Sequence, residues 1–264
     1  MAISRNFNEL KKSLKKNKYI DLLNPRLDYP DSKFLIYTRG RTGSTVLTDL
    51  LNCHPDIFCD VEIFNFLYSG SKVKFPEMYI RSCSKRASRH GKSVYGFKVK
   101  IAQLRYEHEY ENYDEILSNL FKDGYKFIYL KRDNYFRHKL SNIISAETKI
   151  FHLKNGDKNS VAKVKVDCEQ LIEGIEYGEI VNETEAENLR NIDHITITYE
   201  DDIIENSSHQ ETADKIFRYL GLKTVKVKTD LKRIVPEDLK EVILNYDEVY
   251  NFFKDTKYIK YLTN

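Results

Sequence analysis

A short apolar run, a glycine turn and an amphipathic segment near the start of the chain constrain the fold most. The apolar run spans residues 34–37, and the turn spans residues 38–43. Residues 44–51 follow, with apolar side chains spaced for one face of a helix. A buried strand, a turn and a helix make a β-α unit, which is typical of parallel sheets.

The same pattern recurs along the chain. Further apolar runs predict strands, and amphipathic segments predict helices between and after them. The predicted strands are 94–99, 126–130 and 194–199, and the predicted helices are 113–121, 134–152, 169–190, 212–220 and 237–253. We therefore expect an α/β fold with a central parallel sheet, helices on both faces and a helical C-terminal part. We expect a single domain over residues 1–264, with a basic helix and loop at 1–30 and a core at 33–264.

Composition and charge exclude several classes of protein. The chain has 264 residues, 12% aromatic residues and ten glycines, which excludes collagen-like and disordered classes. Forty-three basic and forty acidic residues leave a net charge of +3, too balanced for a general nucleic-acid binder. No apolar run approaches the ~20 residues of a membrane helix, and the N-terminus lacks the apolar segment of a signal peptide. We expect a cytoplasmic protein.

The cysteines and histidines form no metal-binding pattern. Four cysteines show no C-x-x-C pair, and seven histidines show neither H-x-H nor H-E-x-x-H. We therefore expect no metal site and no disulfide framework. A run of five lysines within residues 11–18 would attract an anionic membrane surface weakly, and a solvated helix face is the alternative.

The glycine turn predicts a site for an anion. Ligands of such sheets bind beyond the carboxyl ends of the strands, where helices begin. Gly40 and Gly43 would let the backbone approach an anion, and the amides at the start of the next helix would point at it. Arg41, Ser44 and Thr45 would add donors. The alternative is a tight turn in which Ser44 only caps the helix, but the arginines favour a phosphate or sulfate site.

A kinase or ATPase P-loop is the first functional alternative for this turn. Its pattern, G-x-x-x-x-G-K-[ST], places a lysine on the terminal phosphates and a hydroxyl on magnesium. Here Gly43 is followed directly by Ser44, so that lysine is absent. A small-molecule kinase with an aberrant P-loop would depend on ATP and magnesium. A third alternative is a module that binds an anionic ligand without turnover.

Residues 34–64 resemble the 5′-phosphosulfate loop of sulfotransferases that use 3′-phosphoadenosine 5′-phosphosulfate (PAPS). The resemblance is to the bacterial carbohydrate branch, which includes nodulation-factor and glycolipid sulfotransferases. It implies a P-loop-like sheet, PAPS as co-substrate without a metal, and an acceptor hydroxyl on a carbohydrate or glycolipid. The family loop R-[ST]-G-[ST]-T matches Arg41, Thr42, Gly43, Ser44 and Thr45. With Arg39 and Gly40 before it, this loop is the expected phosphosulfate site.

A second family element would hold the 3′-phosphate of the donor. In the family it consists of an arginine at the end of a strand and a serine on the next helix, which Arg132 and Ser141 resemble. These two are nine positions apart where many members have eight, so Ser145 remains an alternative. An ion pair of Arg132 with Asp133 or a nearby acid is the structural alternative. Lys232 and Arg233 are further candidates, with a solvated basic loop as the alternative.

Sulfuryl transfer also needs a base for the acceptor hydroxyl. In family members that act on sugars, a glutamate shortly after an H-P-D element has this role, and Glu62 stands eight residues after His54. We expect burial to raise the pKa of Glu62 towards the working pH. The alternatives are that Glu62 caps or pairs with a nearby arginine, or that His54 or His108 is the base, although structural roles fit both histidines better.

Two further stretches resemble the family. Lys98 and Gln103 resemble a G-x-K…Q stretch of the glycolipid branch, in which the lysine end of a strand faces the active site. Lys98 could then neutralise the transferring group, and a solvent-facing strand lysine is the alternative. Residues 198–201 resemble a Y-E-D-L element whose role in the family is mainly structural.

Overall fold

The computed structural model describes residues 19–150, 153–154, 163–232 and 235–263. Most of the basic helix expected at 1–30 lies outside these ranges, as do the lysine run of residues 11–18 and Arg233. From this region the structure describes a 3₁₀ helix, Ile20–Leu23. Within the described ranges, none of the helices combines the length and the apolar content needed to cross a bilayer.

The strands are β1 Ser32–Thr38, β2 Ile57–Glu62, β3 Val94–Val99, β4 Tyr125–Lys131, β5 Leu153–Lys154, β6 His194–Thr198 and β7 Leu231–Lys232. Five of them form the central parallel sheet, in the order β2-β3-β1-β4-β6. The two short strands β5 and β7 pair with each other, antiparallel, outside this sheet. The α/β fold expected from the sequence is confirmed. Because every strand of the central sheet runs the same way, all their carboxyl ends meet at one edge.

Helices cover both faces of the sheet. They are α1 Ser44–Leu51, α2 Phe66–Ser69, α3 Pro76–Ser84, α4 Arg86–Arg89, α5 Tyr113–Lys122, α6 Tyr135–Thr148, α7 Cys168–Leu189, α8 His209–Leu220, α9 Tyr246–Phe253 and α10 Lys260–Thr263. Successive residues of β1 join opposite apolar clusters: Leu35 packs with α3 and α5, and Ile36 packs with α1 and α8. This alternation explains why β1 is buried on both sides and reads as a continuous apolar run.

The sequence did not predict β2, the edge strand that carries Glu62. Its burial alternates along the first residues, and its second half is only partly buried, so no continuous apolar run marks it. The Asn52 side chain holds the strand by bonding both the amide and the carbonyl of Cys59, at 2.8 and 2.9 Å. The register with β3 shifts between Cys59 and Glu62, which sets Glu62 opposite Lys98. Such an irregularity re-aims the side chains that follow it.

The helix predicted over 237–253 is wrong in its first half. The structure has a 3₁₀ helix at Leu239–Glu241 and then α9 from Tyr246. Between them the backbone bridges a distant segment, since the Val164 amide donates to the Val242 carbonyl at 2.8 Å and the Leu244 amide to the Val164 carbonyl at 2.9 Å. These tertiary hydrogen bonds use backbone groups that a helix over these residues would need, so no helix forms here. The helix predicted over 134–152 ends at Thr148, where Lys149 adopts φ 59°; residues 151 and 152 lie outside the described ranges.

Candidate active site

An open cavity of about 1240 Å³ lies at the carboxyl edge of the sheet. Segments after all five strands of the central sheet contribute to it. The predicted anion site after β1 meets there with residues from the ends of the other strands and from the segments that follow them. The residues that line the cavity include Arg41, Gly43, Ser44, Thr45, Glu62, Lys100, Arg132, Ser141, Tyr199 and Lys232. The parallel sheet therefore brings together most of the residues selected from the sequence.

The turn after β1 needs glycine at position 43 for two reasons. Gly43 has φ 77°, in the left-handed region that favours glycine. A Cβ at this position would also lie 2.6 Å from Ile203 Cγ2 and 2.8 Å from Tyr199 Cδ2. Gly43 immediately precedes α1 and has no side chain to cap it. The first amides of α1, with Ser44 and Thr45 at the cavity, are therefore disposed to bind an anion.

Arg41 connects this turn to α6. It has φ 63°, and its Nε donates to Ser141 Oγ across 3.0 Å. Its carbonyl oxygen accepts a hydrogen bond from Arg132 Nη1 at 2.9 Å. Burial lowers the pKa of the Arg41 guanidinium, with an opposing effect of Tyr199. A cation that has lost part of its hydration is stabilised by a bound anion.

Arg132 lies at the end of β4 and is only 4% exposed. Its guanidinium carbon lies 4.4 Å from the centre of the Tyr199 ring. The acid beside it is Glu200 rather than Asp133, with 3.6 Å between Arg132 Nε and Glu200 Oε1. Glu200 also accepts the amides of Asp133 and Asn134, both at 3.0 Å, so the loop after β6 closes over the start of α6. This explains physically the structural role expected for residues 198–201.

The structure distinguishes the two serines proposed for the 3′-phosphate. Ser141 lines the same cavity as Arg41 and Arg132 and accepts a hydrogen bond from Arg41 Nε. Ser145 lies one turn farther along α6 and donates from Oγ to the Ser141 carbonyl at 2.7 Å. Ser141 is therefore the better placed of the two. Lys232 also reaches the cavity, whereas Arg233 lies outside the described residues.

Glu62 faces the same cavity from β2. Its Oε2 lies 2.8 Å from Lys100 Nζ and accepts a hydrogen bond from Gln103 Nε2 at 2.9 Å. Burial raises the pKa of Glu62, but the charge and hydrogen bond of Lys100 and the charge of Lys98 outweigh it, so the pKa lies below its ordinary value. The raised pKa expected from burial alone is therefore wrong, because these lysines stabilise the carboxylate more than burial destabilises it.

Lys98, which the sequence suggested for the transferring group, is buried beside Thr45, and Lys100 two residues later is the lysine that lines the cavity. Lys98 is 3% exposed, and its Nζ lies 3.4 Å from Thr45 Oγ1, so it is not a solvent-facing strand lysine. Burial lowers its pKa, with Glu62 opposing. Lys100, for which no sequence motif indicated a role, reaches the cavity. Residues i and i+2 of a strand lie on the same face, so the position of Lys100 two residues after Lys98 could have predicted that both lysines lie near the site.

Arg39 and Thr42 lie in the loop, but their side chains point away from the cavity. Arg39 donates to Glu185 Oε2 from Nε at 3.1 Å and to the Gly178 carbonyl at 3.1 Å. Thr42 is fully buried, with its Oγ1 2.6 Å from Thr38 Oγ1. We therefore revise their assignment to the donor site: Arg39 anchors the loop to α7, and Thr42 stabilises the turn from within.

A histidine that the sequence analysis missed supports the loop. His138 Nε2 lies 2.7 Å from the Gly40 carbonyl. Burial, followed by the charge of Arg132, lowers the pKa of His138 to about 3. The ring is therefore neutral at physiological pH, and Nε2 carries the proton that it donates to Gly40. A lone histidine inside a helix gives no sequence signal for this role.

The two histidines considered as rival bases are engaged with the backbone. His54 accepts the Asp56 amide at Nδ1, at 3.1 Å, and its Nε2 lies 3.0 Å from the Lys223 carbonyl. His108 accepts the Val73 amide at 3.0 Å, and its Nε2 lies 2.6 Å from the Phe64 carbonyl. Both therefore have structural roles. Among the residues that the structure describes, no group of three or more His, Cys, Asp or Glu side chains is arranged to hold a metal ion.

Comparison with known proteins finds similarity among solved structures. The sequence matches no protein-family model and no curated protein. Among solved structures, the chain is similar to the sulfotransferase domain from the Synechococcus PCC 7002 olefin synthase, with a TM-score of 0.41 and 11% identity over 89% of this chain and 95% of that one. Because this similarity is low, we assign no residue role from it and argue the roles from the geometry of the cavity alone.

Proposed function

We propose that this protein is a sulfotransferase that moves a sulfuryl group from PAPS to a hydroxyl of a carbohydrate or glycolipid. The observation that supports this most is that two arginine-centred positions lie in one cavity that also contains a carboxylate. Arg41 with the loop forms one position, Arg132 with Ser141 forms the other, and Glu62 is the carboxylate. PAPS carries a phosphosulfate and a separate 3′-phosphate on one nucleoside, which matches two cationic positions.

The loop would hold the phosphosulfate end of the donor. Arg41, Ser44, Thr45 and the first amides of α1 offer donors to its oxygens. Arg132 and Ser141 would bind the 3′-phosphate, and Lys232 lies at the same cavity. Such fixed donors stabilise charge that develops on the leaving phosphate without reorganising during the reaction.

The transfer itself would proceed by in-line displacement. The acceptor oxygen bonds to sulfur as the bond from sulfur to the 5′-phosphate oxygen breaks, and 3′-phosphoadenosine 5′-phosphate (PAP) leaves. The acceptor hydroxyl loses its proton, and Glu62 is the group proposed to take it. Because the pKa of Glu62 is lowered, the carboxylate is ionised at neutral pH, which is the state that a general base requires.

Calorimetric titration of the purified protein with PAP, in parallel with ATP and magnesium, tests the proposed donor class. It requires no knowledge of the acceptor. We expect saturable PAP binding and much weaker ATP binding. Tight ATP binding with weak PAP binding would instead favour the small-molecule kinase. If PAP binds but a panel of carbohydrate and glycolipid acceptors yields no sulfated product, the alternative of a non-catalytic anion-binding module gains support.

A further inference from the structure

Lys100 lies between the anion loop and the proposed base. Its Nζ is 2.8 Å from Glu62 Oε2. The same Nζ is 3.6 Å from the position that a Cβ on Gly40 would occupy. One flexible side chain therefore pairs with Glu62 of β2 and ends beside the loop. The Lys100 side chain is 22% exposed, which leaves its ammonium accessible to a ligand in the cavity.

This contact conflicts with the proposed role of Glu62. The carboxylate holds the Lys100 ammonium and the Gln103 amide on the same oxygen, Oε2. An acceptor hydroxyl that approaches Glu62 would compete with a charged partner for the carboxylate. Proton transfer would also be disfavoured, because the ammonium stabilises the charged form of the carboxylate.

The loop offers the ammonium another anionic partner. Gly40, the first residues of α1 and Lys100 line the same cavity, so a sulfonate held by the loop would come within reach of the Lys100 side chain. Exchanging a carboxylate for a sulfonate keeps the ammonium paired, so the desolvation cost of a lone buried charge is avoided. Lys98 is not equivalent, since it is buried against Thr45.

We propose that Lys100 couples donor binding to the base: its ammonium binds Glu62 until PAPS enters, then moves to the sulfonate and leaves Glu62 to the acceptor hydroxyl. This inference rests on the proposed function. The inference adds to the proposed function that Lys100 recognises the sulfonate, as distinct from the two phosphates.

The first test compares the affinities for PAPS and PAP, which differ by the sulfonate alone. Lys100→Met removes the ammonium, Lys100→Arg keeps a cation, and Lys254→Met removes an exposed lysine as a control. We expect Lys100→Met to bind PAP within about threefold of the wild type and to lose roughly tenfold in affinity for PAPS, the effect of one charge-assisted hydrogen bond. Lys100→Arg should recover most of the preference for PAPS, and Lys254→Met should not change it.

The outcomes separate the inference from the proposed function. If the wild type binds neither nucleotide, the sulfotransferase proposal is wrong and the coupling by Lys100 is wrong with it. If the wild type binds both and Lys100→Met keeps the full preference for PAPS, only the inference is overturned. Equal weakening of PAPS and PAP would also overturn it, because that result indicates a structural role for Lys100.

A second test follows the Glu62 carboxyl directly by carbon-13 NMR titration. The charged or titratable groups that act on Glu62 are Lys100, Lys98 and Glu107, with the Asn65 and Gln103 amides beside them. Lys100→Met should raise the pKa of Glu62, because it removes the strongest stabilising charge. In the wild type PAPS should raise it more than in Lys100→Met, because the ammonium leaves. An equal shift in both proteins would show only repulsion by the sulfonate and would overturn the proposal.

Discussion

Arg41 Nε donates to Ser141 Oγ across 3.0 Å, and this contact joins the loop after β1 to the helix after β4. Arg132 adds a second connection by donating from Nη1 to the Arg41 carbonyl at 2.9 Å. The two proposed phosphate positions are therefore one connected network. A change at either position should affect both ends of a bound nucleotide.

Arg41→Ala should weaken PAP binding roughly 100-fold, because it removes a planar cation with several fixed donors. The backbone at residue 41 is left-handed whichever of the two residues is present, so the strain is unchanged. Arg41→Lys should recover part of the affinity. Isothermal titration calorimetry with PAP measures this, with the exposed Arg26→Ala as the control for lost charge. Wild-type affinity in Arg41→Ala would remove Arg41 from the donor site.

Ser141→Ala and Ser145→Ala form a matched pair on α6. The Ser141 hydroxyl lies at the cavity, and the Ser145 hydroxyl is occupied by the Ser141 carbonyl. Loss of a hydrogen bond to a charged phosphate should weaken PAP binding roughly 10- to 100-fold in Ser141→Ala, whereas Ser145→Ala should stay within about threefold. The same calorimetric titration measures both. The reverse order would transfer the 3′-phosphate contact to Ser145.

Glu62→Gln should keep PAP binding and lose turnover by roughly 10²- to 10⁴-fold, the usual contribution of a general base. The amide keeps the size of the side chain but cannot take the acceptor proton. Initial rates of sulfated product from an identified acceptor measure the change. Glu107→Gln is the control, because Glu107 lies within the electrostatic influence of Lys100 and Glu62. Full turnover in Glu62→Gln would show that another group is the base.

Gly43→Ala should destabilise the fold more than Gly124→Ala. Both glycines have positive φ, 77° and 83°, but a Cβ at Gly124 meets nothing within 4 Å, whereas one at Gly43 lies 2.6 Å from Ile203 Cγ2. The backbone conformation alone should cost about 1 kcal/mol or more in each variant, and the steric clash should add to this at Gly43. Chemical denaturation gives the free energies of unfolding. Equal losses would mean that the loop relaxes around the new methyl group.

His138 should make the protein less stable in acid. Its pKa is lowered from an ordinary 6.5 to about 3, so between these values the unfolded chain binds a proton that the folded chain does not. Stability from this residue is therefore present above pH 6.5 and decreases as the pH falls towards 3, by at most about 1.4 kcal/mol per pH unit. His138→Gln keeps a donor for the Gly40 carbonyl and removes the titration. Its unfolding free energy should fall less between pH 7 and pH 4 than that of the wild type, and parallel curves would contradict the buried neutral ring.

The strands inside the sheet could be predicted because both of their faces are buried, so that consecutive residues are apolar. All four residues 34–37 of β1 are fully buried, so the run is apolar without interruption. The edge strand β2 could not be recognised in the same way, because it carries Asp60 and Glu62 in its partly exposed second half. The other edge strand, β6, is also partly exposed, but its alternating isoleucines and threonines predicted it. The helix predicted over 237–253 failed for another reason, since residues 242–244 pair with Val164, which is distant in the chain.

By itself, the sequence determined the β-α unit around the glycine turn and the parallel sheet, because these depend on short-range hydrophobic periodicity and on the backbone freedom of glycine. Only the tertiary structure decided which charges meet. Arg39 and Arg41 are two residues apart, yet one pairs with Glu185 and the other with Ser141, 146 and 100 positions away respectively. Lys100, rather than burial, sets the direction of the Glu62 pKa. Such partners depend on which strand ends the sheet places side by side, and Coulomb energies at a few ångströms depend on that placement.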